Sequence, residues 1–471
     1  MEPNLLHEFV PVSVSAWKQK IQEGLQGRDF DETLVWQSPE GIRVHPLYHA
    51  AHRENWGNGP SKGKLSWQVA EEIFVADSAN ANKKALDTLG KGAEILIFTV
   101  ASEAVDLKRL LDGVDLASVS VHFDFRYLVP DLLEKVLDVA GKYPENIHPD
   151  IDIIGHLART GNWFFDEEKD FGFLQDLLAT AGSRGTRNVL GVDLSVYQNA
   201  GANIVQQLAY ALAHAIEYLN RFDAETCGNF GFKICVGANY FFEIAKIRAL
   251  RILWKTLAME FGATDTCFIR AHPTKRNKTL YDYNVNMLRS TTECMSAILG
   301  GANTVCNLPY DAFYHKNNEF AERIARNQLL ILKEESYFDA IENPATGSYY
   351  IETLTQQLAE KALKLFKDIE AHGGLLQHLK DGTIQRKIKE SADNEQRRFD
   401  SGEEILIGTN AYQNPTDTMK NNLESYPFLK KKQEKTSIAP ILESRLAEQG
   451  ERERLEKEGW EEGSLGRIGN V

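Results

Sequence analysis

The stretch NVLGVDLSVYQNAGA, residues 188–202, has the pattern of a buried strand followed by a turn and the start of a helix. Such strand–turn–helix units build parallel α/β folds, whose active sites lie on the turns that follow the strands. This turn offers Ser195, Val196, Tyr197 and Gln198, and nothing in the sequence supplies a base partner for Ser195. The stretch therefore predicts an α/β fold and leaves open whether its active-site turn carries chemistry.

Segments with the same strand pattern recur on both sides of this stretch and are separated by amphipathic helical segments. The strand candidates are residues 93–100, 119–125, 151–154, 188–194, 232–238, 266–271 and 303–308, with an eighth near 337–341. Eight strands alternating with helices predict a (β/α)8 TIM-type barrel. A doubly wound open sheet is the alternative, and it is less favoured because no glycine-rich phosphate-binding turn follows the first candidate.

The two ends of the chain differ from this alternating region. Residues 1–65 contain one short amphipathic helix and two extended pieces, which we interpret as an extended segment for contact with another subunit. Residues 66–393 are the predicted barrel with its closing helices. Residues 394–471 are polar and dense in charge, which predicts a linker followed by a charged surface helix.

The composition is that of an ordinary globular protein, with 43% hydrophobic and 25% charged residues. The net charge of −14, from 67 acidic and 53 basic residues, argues against a general nucleic-acid or anionic-membrane binder. The N-terminus lacks a signal-peptide pattern, and no uncharged apolar run approaches the ~18 residues that a membrane span needs. The sequence thus predicts neither a nucleic acid nor a membrane as a partner.

The cysteines and histidines give no metal-binding pattern. Five cysteines are scattered without a CxxC pair, which favours a reducing, cytoplasmic compartment. The 12 histidines are dispersed, and the sequence contains neither an HExxH motif nor a cysteine–histidine cluster. We therefore expect no metal site in this chain.

Two pairs of polar residues lie at the ends of strand candidates, where barrel enzymes place their chemistry. Asp124 and Arg126 could bind an anionic substrate, but an internal ion pair is the favoured interpretation. Arg270 and His272 could hold a phosphate or a thioester carbonyl, and a structural pair is an equally good interpretation. From the residues alone, the sequence predicts a barrel whose rim is poorly equipped for catalysis.

Several longer segments, in order between about residue 35 and residue 415, resemble the methylmalonyl-CoA mutase family. They are SPEGIRVHPLY (38–48), YQNAGANIVQQLAYALAHAIEYL (197–219), NYFFEIAKIRALRILW (239–254), RIARNQLLILKEES (323–336), NPATGSYYIETLT (343–355) and RFDSGEEILIGTNAY (398–412). The resemblance implies a barrel that houses acyl-CoA. It also implies a separate C-terminal domain whose adenosylcobalamin supplies the radical for interconverting methylmalonyl-CoA and succinyl-CoA.

This sequence departs from the family at the catalytic positions. Catalytic chains carry a Tyr-His pair just before MQEAGA, and the matching positions here are Ser195 and Val196, followed two residues later by Gln198. The family tyrosine in RQYAGFS corresponds to Val69. A valine can neither hydrogen-bond a carbonyl nor transfer a proton. The resemblance therefore implies a degenerate site at these four positions, with no catalytic residue.

Other family features are kept in part or lost. The family segment RTHSQTSGWSLT appears here as RAHPTKRNKTLY, which keeps Arg270 and His272, and a family arginine that contacts acyl-CoA matches Arg159 in HLARTGN. The resemblance leaves these three as candidate substrate-binding residues. None of the 12 histidines follows an aspartate at the spacing of the family's cobalt-binding D-x-H-x-x-G motif. We therefore expect no cobalamin-binding domain and no cofactor bound by this chain.

Together, the match and the departures imply the small, non-catalytic subunit of a heterodimeric methylmalonyl-CoA mutase. Its large subunit would hold the substrate and adenosylcobalamin. Two alternatives stay open. The chain could be an acyl-CoA mutase barrel that is active with a separate cobalamin-carrying chain, or a barrel repurposed for chemistry other than the mutase reaction.

The resemblance also bears on the interior of the barrel, because catalytic chains thread the pantetheine arm of CoA along the barrel axis between small side chains. In SVSVHFD (118–124), strand alternation places His122 and Asp124 on the inward face. His122 adds bulk there, and Asp124 adds a charge that needs a partner such as Arg126. We therefore predict a bore closed by a hydrogen-bonded cluster that includes His122, Asp124 and Arg126.

Overall fold

The computed structural model describes residues 12–49, 67–186, 189–316, 318–341, 343–429 and 435–461. The chain divides into two compact units, Met1–Asn55 and Trp56–Val471. Within the first unit, two helices precede a small antiparallel pair of strands. These elements are α1 (Val14–Gly24), α2 (Phe30–Leu34), β1 (Trp36–Gln37) and β2 (Arg43–Val44). Both helices begin at polar caps, since Ser13 accepts from the amide of Ala16 and Asp29 from that of Glu32.

The second unit is built on an eight-stranded parallel sheet. Its strands are β3 (Gln68–Val75), β4 (Ile95–Val100), β5 (Ser120–Phe125), β6 (Ile147–His148), β7 (Leu190–Asp193), β8 (Phe230–Val236), β9 (Phe268–Pro273) and β10 (Thr304–Cys306). They pair in the order β6-β5-β4-β3-β10-β9-β8-β7. A parallel bridge between Ile151 and Leu190 joins the two ends of this order. The sheet is therefore a TIM-type barrel, as predicted, and not an open sheet.

Helices cover the outside of this barrel and continue after its last strand. They are α3 (Ser78–Gly90), α4 (Leu107–Leu110), α5 (Leu132–Ala140), α6 (Ile153–Thr160), α7 (Glu167–Arg184), α8 (Ser195–Gln198), α9 (Ile204–Arg221), α10 (Ala224–Cys227), α11 (Tyr240–Phe261), α12 (Val285–Gly300), α13 (Glu319–Leu330), α14 (Tyr349–Ala371), α15 (Gly374–Lys380), α16 (Thr383–Asp400) and α17 (Glu448–Lys457). A 3-10 turn spans Pro144–Asn146, and a π-helical turn, Ile331–Glu335, extends α13. None of the described helices is long and apolar enough to cross a membrane.

Two of the predicted strands are wrong. Residues 337–341 form turns after the π-helical turn and pair with no strand. In 151–154 only Ile151 forms a bridge, because Asp152 accepts from the amide of Gly155 and so begins α6 at the next residue.

Two strands of the barrel were missed, the short β6 and β3. β3 lies before residues 93–100, the first of the strand candidates. Its two adjacent glutamates, Glu71 and Glu72, disguise it, since acidic residues are depleted in strands. The fold tolerates Glu71 because Arg326 of α13 lies 3.2 Å from its carboxylate.

The NAGAN turn before α9 is held by local chemistry. Asn203 and Gln206 form a reciprocal capping box at the start of the helix. Gly201 has a φ of 100°, and a Cβ on it would lie 2.5 Å from the Cβ of Ala392 on α16. This glycine is therefore required both by its backbone conformation and by the close approach of α16.

The C-terminal residues pack against the barrel loops. Residues 435–446, called here the strap, run across the C-terminal end of the barrel. The amides of Ile441 and Ser444 donate to the carbonyls of Ala158 and Asn199, at 2.7 and 3.0 Å. Beyond the strap, α17 contributes to a second core. That core contains Leu280, Tyr281, Tyr314, Met419, Leu423, Phe428, Leu455 and Trp460.

Candidate functional site

The inside of the barrel is closed at mid-height by a group of aromatic and charged side chains. Asp150, just after β6, lies 2.8 Å from Nη1 of Arg270 on β9 and 2.7 Å from Nδ1 of His122 on β5. The ring of His148 stacks on His122 with 4.2 Å between centroids, and Phe268 stacks on His122 from β9 at 5.2 Å. His122 is 1% exposed and the side chain of Arg270 is 6% exposed.

Only a small cavity of about 40 Å³ remains beside this group. His122, Asp124, Asp150 and Arg270 line it. A buried water occupies at least ~10–15 Å³ on this measure, so the space suits a few waters. It is too small for the extended arm of a cofactor such as CoA.

The charges in this group are matched. Burial raises the pKa of Asp150, but the neighbouring His122 ring and Arg270 guanidinium outweigh it and lower that pKa to about 2. Burial also lowers the pKa of His148 to about 3, helped by His122, so the His148 ring is neutral at pH 7. At neutral pH the carboxylate is therefore paired with the guanidinium across the bore.

A second set of ion pairs lies above this group, toward the C-terminal mouth. Lys233 of β8 has its Nζ 3.4 Å from Asp124 and 3.9 Å from Asp193. Arg126 lies 2.8 Å from Asp124, and Arg159 lies 2.6 Å from Asp193. These three cations therefore share two carboxylates, and each has at least one of them within 4 Å.

The active-site turn that follows β7 has no activated nucleophile. Ser195 donates its hydroxyl to Asp193 Oδ1, and its amide donates to the same oxygen at 2.9 Å. Burial opposes ionisation of Asp193, but Lys233 and Arg159 hold its pKa well below its usual range. Asp193 is therefore too weak a base to accept the Ser195 proton. The neighbouring Val196 lines the mouth with a methyl surface only.

The other residues predicted for this site lie in different places. Val69 is fully buried. It lines neither the small cavity in the bore nor the larger cavity at the mouth described below, and its amide donates to Oε2 of Glu94. Gln198 is buried behind the turn, where its side-chain oxygen accepts from Nζ of Lys246 at 3.1 Å. His272 lies at the mouth with Nδ1 3.8 Å from Glu72. The structure thus brings Arg159, Ser195, Val196 and His272 to the mouth, whereas Arg270 lies deeper.

A larger cavity of about 930 Å³ covers the mouth of the barrel. Glu72, Arg159, Ser195, Val196 and His272 line it from the barrel, while Ile441 and Leu442 of the strap form part of its wall. Sequence reasoning missed most of the polar residues in and below this cavity, among them Asp150, Asp193, Lys233 and Glu72. The one usable signal was the lysine of FKICV, a charge at an inward position of a buried strand.

Replacing His148 with phenylalanine is expected to make stability less sensitive to acid. The ring faces His122, Asp150 and Arg270, and it binds a proton in the unfolded chain near pH 6.5 but in the folded chain only near pH 3. Between these values the native ring lowers the free energy of unfolding as pH falls, by at most ~1.4 kcal/mol per pH unit. Urea unfolding from about pH 7 to pH 4 should show a shallower slope for the variant. Equal slopes would contradict this explanation.

Comparison with known proteins identifies a family for this chain. The methylmalonyl-CoA mutase family model matches residues 96–457. The chain is 36% identical over 445 residues to the methylmalonyl-CoA mutase small subunit of Porphyromonas gingivalis, covering 88% of this chain and 72% of that protein. It is 30% identical to the small subunit of Streptomyces virginiae, over 87% of this chain and 71% of that protein. It is 28% identical to a probable large subunit of Mycobacterium tuberculosis, over 82% of this chain and 60% of that protein.

Proposed function

The chain belongs to the methylmalonyl-CoA mutase family, and we propose that it is the small, non-catalytic subunit of a heterodimeric, adenosylcobalamin-dependent mutase. Two of the relatives that it resembles are named small subunits, at 36% and 30% identity, and a named large subunit is 28% identical. In this proposal the large subunit binds the acyl-CoA and interconverts methylmalonyl-CoA and succinyl-CoA. This chain serves as its structural partner.

The observation that carries the proposal is the filled bore. Asp150, Arg270 and His122 hydrogen-bond across the barrel axis and leave a cavity of about 40 Å³. An acyl-CoA entering along the axis would have to separate a buried guanidinium from its carboxylate, which costs several kcal/mol. The turn after β7 supplies no general base, since Ser195 is bonded to a weakly basic aspartate.

The residues at the mouth of the barrel do not fit adenosylcobalamin. A corrin ring needs a broad open surface at the mouth, whereas here the strap crosses it and Ile441 and Leu442 project into the cavity wall. We therefore assign adenosylcobalamin to the partner subunit. The five cysteines are free and buried, which supports a reducing, cytoplasmic location for the complex.

One observation favours a second candidate, a barrel that acts on a ligand of its own. The mouth cavity of about 930 Å³ is large enough for a small molecule, and Arg159 and His272 line it. The pairing of Arg159 with Asp193 at 2.6 Å argues against an acyl-CoA as that ligand. Turnover by the isolated chain distinguishes this candidate from the structural role.

Deleting the first unit, residues 1–55, is expected to weaken binding to the large subunit by about 100-fold or more. Within residues 12–49 only two apolar side chains, Val35 and Ile42, are buried, whereas Val12 and Trp36 are 75% and 45% exposed. A unit with so small a core needs a partner to cover its apolar surface. Obligate interfaces often exceed ~2,000 Å² and are apolar, so an exposed apolar surface on the first unit suits contact with the large subunit.

Co-expression and size-exclusion chromatography with a tagged large subunit measure this loss. The deleted chain is compared with the intact chain and with Trp36→Ala, which should weaken binding less than the deletion does. Circular dichroism verifies that the barrel unit keeps its helices. If the deleted chain forms the complex as well as the intact chain does, the interface lies elsewhere and this part of the proposal is wrong.

A further inference from the structure

Three neighbouring strands bring a carboxylate, an imidazole and a thiol together at the floor of the mouth cavity. Glu72 lies on β3, Cys306 on β10 and His272 on β9, and β10 pairs with both of the other strands. One potential ligand atom from each side chain lies within 4.8 Å of the other two. The three residues are far apart in the sequence, so no motif links them.

Two of these side chains lack strong hydrogen bonds. The side chain of His272 is only 11% exposed, and its buried Nε2 has no hydrogen-bond partner in the described part of the chain. The thiol of Cys306 has one long contact, 3.8 Å to the carbonyl of Asn307. A buried polar atom without a partner costs about 1–3 kcal/mol, so such an atom calls for an explanation. A bound ion would give the thiol a partner, and it would explain Nε2 where that nitrogen, rather than Nδ1, is the ligand.

The carboxylate is already oriented. Thr99 donates its hydroxyl to Oε1 of Glu72 at 3.0 Å, and Oε2 is left facing Nδ1 of His272 at 3.8 Å. A hydroxyl that fixes one oxygen and leaves the other for an ion is the usual arrangement around a ligating carboxylate.

We propose that Glu72, His272 and Cys306 bind a divalent transition-metal ion of the zinc class. Thiolate, imidazole and carboxylate together are the donor set that zinc prefers. Zinc–ligand distances of about 2.0–2.3 Å place tetrahedral ligands roughly 3.5 Å apart, so the side chains need to close by about 1 Å. Glu72 and His272 also line the mouth cavity, so a fourth position on the ion opens toward it. The expectation, drawn from the sequence, that the chain binds no metal is put to the test by the same experiment.

Two nearby cations, Lys233 and Arg270, act on the proposed ligands and repel an ion there. Lys233 lies within 4 Å of Asp124 and Asp193, and Arg270 lies 2.8 Å from Asp150. These carboxylates balance the two cations only in part: burial raises the pKa of Glu72, but Lys233, His272 and Arg270 outweigh it and lower that pKa to about 2. Deprotonated Cys306 and ionised Glu72 would neutralise the two charges of the ion.

The chain offers a matched control for the thiol. Cys235 is also 3% exposed and also lies near the end of an inner strand, and it lines the mouth cavity. Its thiol accepts from Asn199 at 3.7 Å and belongs to no group of three potential metal ligands in the described part of the chain. A metal effect specific to Cys306 therefore separates the site from any buried cysteine.

Cobalt(II) is the probe, titrated into the reduced full-length chain after treatment with a chelator. We expect one Co²⁺ per chain by equilibrium dialysis, with a near-ultraviolet thiolate-to-cobalt absorption band that Zn²⁺ abolishes. Cys306→Ala should remove the band and weaken binding by about 100-fold or more, while Cys235→Ala should keep both. Should Cys306→Ala fail to fold, His272→Gln tests the site, since it should retain the thiolate band with weaker binding.

Three results would overturn the site. The first is the absence of stoichiometric Co²⁺ binding by the native chain. The second is a thiolate band that survives in Cys306→Ala, and the third is equal loss of the band in Cys235→Ala. Because the readout is metal binding and not turnover, failure here leaves the proposed subunit role intact.

Discussion

Replacing Asp150 with asparagine is expected to lower the free energy of unfolding by about 3–5 kcal/mol. The substitution keeps the shape of the side chain but removes the charge that Arg270 and His122 contact at 2.8 and 2.7 Å. The guanidinium of Arg270, 6% exposed, is then left buried without its counter-ion. Loss of one partner from a buried pair is costly because the remaining charge stays desolvated.

Equilibrium urea unfolding of both chains, followed by tryptophan fluorescence, measures this difference. The control is Asp131→Asn, which breaks an ion pair of the same length, 2.8 Å to Lys135, with both side chains about half exposed. It should cost less than about 1 kcal/mol. The double variant Asp150→Asn with Arg270→Met should recover part of the loss, since it removes the unpaired charge. A loss for Asp150→Asn no larger than that of the control would mean that the bore is not held by this pair.

The isolated chain is expected to isomerise methylmalonyl-CoA at a rate about 10⁴-fold or more below that of the complex with its large subunit. Val196 offers no proton donor or acceptor. Ser195 is bonded to Asp193. Burial raises the pKa of Asp193, but Lys233 and Arg159 outweigh burial and hold that pKa well below its usual range. General acid–base groups contribute about 10²–10⁴-fold in rate, and the turn after β7 offers none. The closed bore removes the path for the substrate as well.

The sequence was sufficient to predict the barrel, because most of its strands are apolar runs bounded by turns. It was not sufficient for β3, where Glu71 and Glu72 interrupt the apolar pattern. Glu71 is accommodated only because Arg326, far along the chain, pairs with it. A strand whose polar residues are neutralised by distant partners cannot be recognised from local composition.

The candidate site also has features that the sequence predicts and others that it does not. Alternation in VSVHFDF was enough to place His122 and Asp124 on the inward face, which is where the structure has them. Their partners could not be predicted, because Asp150 and Lys233 reach them only through the closure of the barrel. Local patterns fix which face a side chain occupies, whereas long-range pairing sets which side chains meet.

The most direct test of the subunit role is one mutase assay on three samples: the full chain alone, the large subunit of the same source alone, and their mixture. Each sample receives methylmalonyl-CoA and added adenosylcobalamin, and succinyl-CoA is quantified. A structural subunit should give no measurable product from this chain alone and full activity in the mixture. Substantial turnover by this chain alone would contradict that role, and the barrel would then have to be an enzyme in its own right.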